Sequence, residues 1–151
     1  MARLQWLWRY NDSETGKPIG SGKLTTTSKA DAEGFYRIRS IRGERDGVPI
    51  KRLLPRGNGI PGNVDPITGQ AYVGDNLIRA KGDNPEAAQL TSKGVVFSLI
   101  NKTHVNLFHL NLAPVPANYE FFSAPPYPAG PVPPNTESTI HFDAWIRTSP
   151  S

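Results

Sequence analysis

Short stretches of alternating hydrophobic and polar residues recur along the chain, separated by turn-forming residues. Near the start, Trp6, Trp8 and Tyr10 occupy every second position, which places their side chains on one face of a strand and predicts that this face is buried. No window shows helical periodicity over more than about two turns. The pattern predicts strands over residues 5–10, 20–27, 35–41, 48–54, 75–78, 94–100, 105–110, 119–122 and 140–147.

Many short strands without helices indicate an all-β fold. We expect a single-domain β-sandwich over residues 1–151, jelly-roll or immunoglobulin-like, with about 7–9 short antiparallel strands and long Gly/Pro-rich loops. The hairpin of residues 94–110 carries apolar side chains on both faces and is therefore predicted to be the most central part of the sheet.

The clearest local signal is the pair Asp46-Gly47 between two apolar-containing segments. These residue types tolerate the positive φ values of a type I′ turn, so the pair predicts a β-hairpin. Pro49 lies in the returning strand and lacks an N–H group, which favours an edge position or a bulge there.

Two long segments do not fit the strand pattern. Residues 55–74 are rich in glycine and proline and predict a long loop of the kind that often binds a ligand or acts as a lid. Residues 114–134 contain eight prolines, so much of this stretch cannot join a central ladder. Such a proline-rich arm, which includes Tyr127, could bind a partner as extended chain or could serve as a rigid connection to the last strand.

Composition narrows the chemistry. The chain has no cysteine, which excludes disulfides, thiol nucleophiles and cysteine-based zinc sites. Its N-terminal residues do not form a signal peptide, and no window is apolar enough to span a membrane. We therefore expect a location inside the cell or in a particle rather than secretion.

Basic residues cluster in the middle of the chain, within a weak overall excess of positive charge (+4). The cluster could bind phosphate groups, an acidic protein surface or identical subunits, or it could be a solvated face that discourages sheet-to-sheet pairing. Nucleic acid is a less favoured partner, because only Phe35 and Tyr36 could offer stacking platforms among the charges. The candidate partner-binding residues are Arg37, Arg39, Arg42, Arg45, Lys51, Arg52, Arg56 and Tyr127.

Signals for catalysis and metal binding are weak. His104 and His109 are separated by an odd number of residues, so a strand would place them on opposite faces. Asp75 and Asn76 are weak candidates for Ca²⁺ ligands, although such a pair more often caps a loop by bonding its own backbone. No nucleophile elbow or phosphate-binding motif occurs. We therefore predict a protein that is not an enzyme, with no catalytic residues and no cofactor.

Several segments, taken in order, resemble a poorly characterised family of cyanobacterial β-proteins, many of them exported with a PEP-CTERM-type sorting tail. The similarity spans about residues 6–123 and is carried by residues 22–26, 35–38, 41–50, 53–55, 60–63, 75–78, 90–99 and 119–123. The resemblance implies an all-β fold and no established activity. The signal peptide and anchor of the exported members have no counterpart in this sequence.

These observations favour a non-enzymatic structural or accessory subunit of a larger assembly, such as a virion decoration protein or an accessory or linker protein of an acidic complex. The alternative is an extracellular or cell-surface module that binds glycan or Ca²⁺, as the export of the similar proteins implies.

Overall fold

The computed structural model describes residues 3–65, 67–81, 88–111, 116–125 and 136–147, and these residues form nine β-strands and no helix. Every predicted strand segment overlaps one of the nine, so the all-β prediction is confirmed. The strands are β1 (Leu4–Asp12), β2 (Pro18–Thr26), β3 (Phe35–Arg45), β4 (Val48–Leu53), β5 (Leu77–Arg79), β6 (Val95–Leu99), β7 (His104–Leu110), β8 (Ala117–Ser123) and β9 (Thr136–Ile146).

Eight of the strands form one closed antiparallel barrel. The pairs β1–β2, β2–β3, β3–β4, β4–β6, β6–β7, β7–β8 and β8–β9 follow chain order with β5 left out. The pair β9–β1 completes the ring. The predicted β-sandwich is therefore corrected to a barrel. The alternation of side chains along a strand is the same in both architectures, and only the pairing of the first strand with the last distinguishes them.

Large aromatic side chains fill the barrel from β1. Trp6, Trp8 and Tyr10 are buried, as predicted, and the rings of Trp8 and Tyr10 are stacked with centroids 6.1 Å apart. The indole N–H of Trp6 donates to Thr26 Oγ1 at 2.9 Å, and that of Trp8 donates to the carbonyl of Lys23 at 3.1 Å. Both buried donors are thus satisfied, which removes the main cost of burying tryptophan.

The interior also depends on a glycine. Gly20 on β2 is opposite Tyr10, and a Cβ atom at Gly20 would lie 2.6 Å from the tyrosine ring. The absence of a side chain on β2 therefore makes room for the ring on β1.

Strand β5 and the residues near Leu90 contribute to the same core. Ile78 and Leu90 form a bridge and are almost completely buried. The Gln89 carboxamide donates to the carbonyl of Ala144 at 2.8 Å and accepts from its N–H at 3.1 Å. This side chain pairs with β9 as a backbone peptide group would, which attaches the segment to the barrel.

The predicted loop of residues 55–74 folds back on itself over the outside of the barrel. Backbone hydrogen bonds join its two halves, from Gly57 to Gly74 and from Tyr72 to Asn63, each at 3.0 Å. On its inner side a second hydrophobic cluster, separate from the core, contains Leu54, Ile60, Val96, Phe108 and Phe121. Strand β6 is consequently buried on both faces, which explains the apolar character of this hairpin, but the prediction that it is the centre of a sheet is corrected because a closed barrel has no central strand.

The local turn prediction is also confirmed. Asp46 and Gly47 have φ values of 50° and 81°, as a type I′ turn requires. Strand β4 pairs with β3 on one side and β6 on the other, so it is not an edge strand. Its register is irregular between Ile50 and Arg52, which agrees with the bulge that Pro49 predicted as the alternative.

The predicted proline-rich arm contains a strand, since β8 lies within residues 114–134 and belongs to the barrel. Residues 114–115 and 126–134 of this arm, including Tyr127, lie outside the described residues. Among the residues that are described, no helix has the length and apolar character needed to cross a membrane.

Candidate functional site

The predicted basic cluster divides into an exposed set and one residue that turns inward. Six side chains are exposed, namely Arg37, Arg39 and Arg42 on β3, Lys51 and Arg52 on β4, and Arg56 in the loop after β4. Arg45, at the end of β3, is the exception: its side chain is only 16% exposed and is bonded inside the barrel.

A bulge in β3 determines which face each of these residues takes. Ser40 and Ile38 pair with consecutive residues of β2, so Arg39 is the extra residue of the bulge. Because the bulge resets the alternation, Ile41 points inward, Arg42 outward and Arg45 inward. If the alternation from Arg37 were not interrupted by the bulge, Arg45 would point outward. The sequence alone therefore could not assign Arg45 to the interior.

Arg45, Glu120 and Tyr10 form a polar cluster within the barrel. The guanidinium donates from Nε to Glu120 Oε2 at 2.9 Å and from Nη2 to Oε1 at 2.8 Å, and the Tyr10 hydroxyl donates to Oε2 at 2.5 Å. The guanidinium also lies 3.9 Å from the ring centroid of Phe122. Burial, together with the negative charge of Glu120 and the hydrogen bond to it, raises the pKa of the Tyr10 phenol well above its ordinary value. Arg45 therefore belongs to an internal network.

Strand pairing adds a residue that the sequence did not single out. Lys23 on β2 is directly opposite Arg42 on β3, and its side chain also points outward. No local signal marks Lys23, because its relation to Arg42 depends on the register of two strands. We define the basic face as the outer surface of β2, β3, β4 and the start of the following loop; its members are Lys23, Arg37, Arg39, Arg42, Lys51, Arg52 and Arg56.

The basic face includes the exposed Glu44 on β3, but no member of the face forms an ion pair in the part of the chain that the structure describes. The two ion pairs there are Arg45–Glu120 and Lys81–Asp143, and neither includes a member of the face. Like charges directly opposite each other on neighbouring strands are destabilising, so the Lys23–Arg42 pair does not serve the stability of the barrel.

The two aromatic residues near the cluster are occupied by other contacts. Tyr36 packs edge-on against Trp6 inside the barrel, with ring centroids 5.6 Å apart. Phe35 is buried, and the Arg79 guanidinium covers it at 4.4 Å from the ring centroid. Neither ring can stack on a nucleobase, and the basic face therefore suits phosphate-like or carboxylate groups better than bases.

The candidate calcium ligands serve as loop anchors. Asp75 accepts hydrogen bonds from the N–H of Leu77 at 3.3 Å and from the Thr91 hydroxyl at 2.6 Å. Asn76 has a positive φ of 54° and donates its amide to the carbonyl of Leu54 at 2.8 Å. Across the described ranges, no group of three or more His, Cys, Asp or Glu residues could hold a metal ion.

The two histidines of β7 have different surroundings. His109 Nδ1 is 2.9 Å from the side-chain oxygen of Asn118. His104 is opposite Ser98 and Ser123, and burial together with the positive charge of Arg52 lowers the pKa of its imidazole.

A cleft of about 650 Å³ lies between the folded-back loop and the outer wall of the barrel. We call it the loop cleft. Its wall on the barrel side includes Asn106, Phe108 and Phe121, on β7 and β8. Its other described lining residues are Asn63, Val64, Asp65, Thr68, Gln70, Ala71, Tyr72, Val73, Ser92, Lys93, Leu110 and Glu137.

A tyrosine and a carboxylate, Tyr72 and Asp65, lie on the loop side of the cleft, and Glu137 lines it from β9 of the barrel. Tyr72 is 48% exposed, and its hydroxyl donates to Asp65 at 3.3 Å. Partial desolvation and the negative charges of Asp65 and Glu137 raise the pKa of the Tyr72 phenol. Asp65 also accepts hydrogen bonds from the N–H groups of Ile67 and Thr68, which lowers the pKa of its carboxyl group.

Comparisons with protein-family models, with curated proteins and with solved structures found no match to this chain. The resemblance to exported cyanobacterial β-proteins therefore stays a prediction, and the two surface features that bear on function are the basic face and the loop cleft.

Proposed function

We propose that this protein is a non-enzymatic accessory subunit that docks onto an acidic surface of a larger protein assembly through its basic face. The observation that carries the proposal is the Lys23–Arg42 pair, two exposed like charges held opposite each other with no ion-pair partner among the described residues. An acidic partner would offset this repulsion, because it attracts both charges.

The surroundings of that pair support a rigid docking surface. Most of the basic face lies on paired strands of a closed barrel, so the backbone positions that carry its charges are fixed before any partner binds. Arginine predominates in it, and the planar guanidinium group can bind carboxylates through two parallel hydrogen bonds. Docking onto such strands therefore requires little ordering of the backbone.

The proposal can be tested by size-exclusion chromatography of an extract from cells that naturally make the protein. We expect the tagged chain to elute in a complex much larger than 16.5 kDa, and the double variant R37E/R39E to elute as the free chain with an unchanged circular dichroism spectrum. Increasing salt should release the wild type, since exposed charges are screened.

The matched control is K17E/R147E, which reverses two exposed charges outside the basic face and should stay in the complex. Elution of the wild type as a free chain at low salt contradicts the proposal, and so does retention of R37E/R39E in the complex.

A further inference from the structure

The loop cleft is a second feature that points to a ligand, and it is independent of the basic face. Its volume of about 650 Å³ is in the range of small-molecule sites in proteins. One wall belongs to the barrel, and the other is the folded-back loop that hydrogen bonds hold in place. The cleft is therefore built into the fold.

Asn106 gives the strongest indication that this cleft receives a ligand. Its side chain is 6% exposed and lines the cleft, and its Oδ1 atom accepts no hydrogen bond within the described part of the chain. Its cross-strand neighbours are Val96 and Phe121, neither of which has a polar side chain. A buried carboxamide with an unpaired polar atom is unfavourable, so a ligand that forms a hydrogen bond with the Asn106 side chain would be favoured in the cleft.

The other lining residues select among ligand classes. Asp65 and Glu137 outweigh the single positive charge of Lys93, so the lining is net negative and disfavours an anion. Gln70, Ser92 and Asn106 offer uncharged hydrogen-bonding groups to a polar ligand.

The apolar part of the lining requires apolar surface on the same ligand. Phe108, Phe121 and Leu110 lie on the barrel side, and the ring of Tyr72 is exposed on the loop side. A sugar ring meets both requirements, because its hydroxyl groups point outward at the edge and its C–H groups form apolar faces that can pack on aromatic rings.

We propose that the loop cleft is a binding site for a neutral saccharide, in which the Asn106 carboxamide forms a hydrogen bond with a sugar hydroxyl and Tyr72 packs against a C–H face. Such a site gives the protein a second binding surface, which functions whether or not the basic face docks onto an assembly. A protein with both sites could link a charged assembly to a glycan.

The test is binding of the purified chain to a printed array of neutral, sialylated and sulfated oligosaccharides. We expect binding to at least one neutral oligosaccharide, and a loss of at least about tenfold in affinity for N106L and for Y72A, because each removes one ligand contact. Tyr72 is exposed, so Y72A keeps the test valid if N106L does not fold.

The matched control is N58A, which removes an exposed amide in the same loop but outside the cleft, and which should bind as the wild type does. The R37E/R39E variant should also bind the neutral oligosaccharide normally, which separates this site from the docking surface. The proposal is overturned if no neutral oligosaccharide binds, if only sulfated or sialylated ones bind, or if both N106L and Y72A bind as tightly as the wild type.

Discussion

The carboxylate of Glu120 accepts three hydrogen bonds in the barrel interior, two from Arg45 and one from Tyr10. The side chain of Glu120 is 2% exposed, so its charge is separated from water and depends on these donors. Removing one member of a buried ion pair is costly, because the other charge is left without compensation. The cluster is therefore expected to be important for stability, although its side chains point into the barrel and away from the proposed docking surface.

The variant E120Q tests this role. It removes the negative charge but keeps the shape of the side chain, and we expect the free energy of unfolding to fall by about 3–5 kcal/mol, as measured by urea denaturation. The control is D143N, which breaks the exposed Lys81–Asp143 pair and should cost less than about 1 kcal/mol. Equal effects of the two variants would show that the internal cluster is not a special determinant of stability.

Tyr10 makes the stability of the protein sensitive to alkaline pH. Its pKa is raised in the folded protein by burial and by Glu120, so above about pH 10 the unfolded chain loses the phenolic proton while the folded chain keeps it. The free energy of unfolding should then decrease as the pH rises.

Urea denaturation of the wild type and Y10F would measure this effect between about pH 8 and about pH 11, which lie below and above the ordinary tyrosine pKa. We expect Y10F to be less stable than the wild type at pH 8 because it lacks one buried hydrogen bond, but to lose less of its stability at high pH. Parallel pH profiles for the two proteins would contradict the assignment.

At the scale of elements, the features that depend on neighbouring residues could be predicted from the sequence. The turn at Asp46 and Gly47 has the predicted positive φ values, and the inward face of β1 is the predicted one. The inward side chain of Arg45 could not be predicted, because it depends on the bulge at Arg39. The contact between Lys23 and Arg42 depends in turn on the register between β2 and β3.

The turn gives a prediction about the β3–β4 hairpin. Gly47 has a φ of 81°, and nothing lies within 4 Å of a Cβ atom placed there, so a substitution meets backbone strain but no steric clash. We expect G47V to lower the free energy of unfolding by about 1–2 kcal/mol or more, because β-branched residues rarely adopt positive φ. G47N should cost less, since asparagine tolerates this region. Thermal unfolding of both variants would check the order, and a G47V protein as stable as G47N would contradict it.

At the scale of the whole molecule, closure of the barrel and formation of the loop cleft depend on contacts between distant parts of the chain. β1 and β9 pair across almost the full length of the sequence, and no pattern within either strand indicates its partner. The loop cleft likewise requires the loop to fold over the outside of β7 and β8, which gives Asn106 its buried position. The alternation of hydrophobic residues predicted the strands, but it could not distinguish a closed barrel from two packed sheets.

The central claim, that the basic face contacts an acidic partner, can be tested most directly by site-specific photo-crosslinking in cells that naturally make the protein. A photoreactive amino acid replaces Glu44, which is exposed two residues beyond Arg42 on β3, or, as the matched control, Glu14 in the turn between β1 and β2. The account predicts a crosslink from position 44 to an Asp- and Glu-rich peptide of another protein, no such crosslink from position 14, and loss of the crosslink in K23E/R42E. Equal crosslinking from positions 14 and 44, or a crosslinked peptide without an excess of acidic residues, would contradict it.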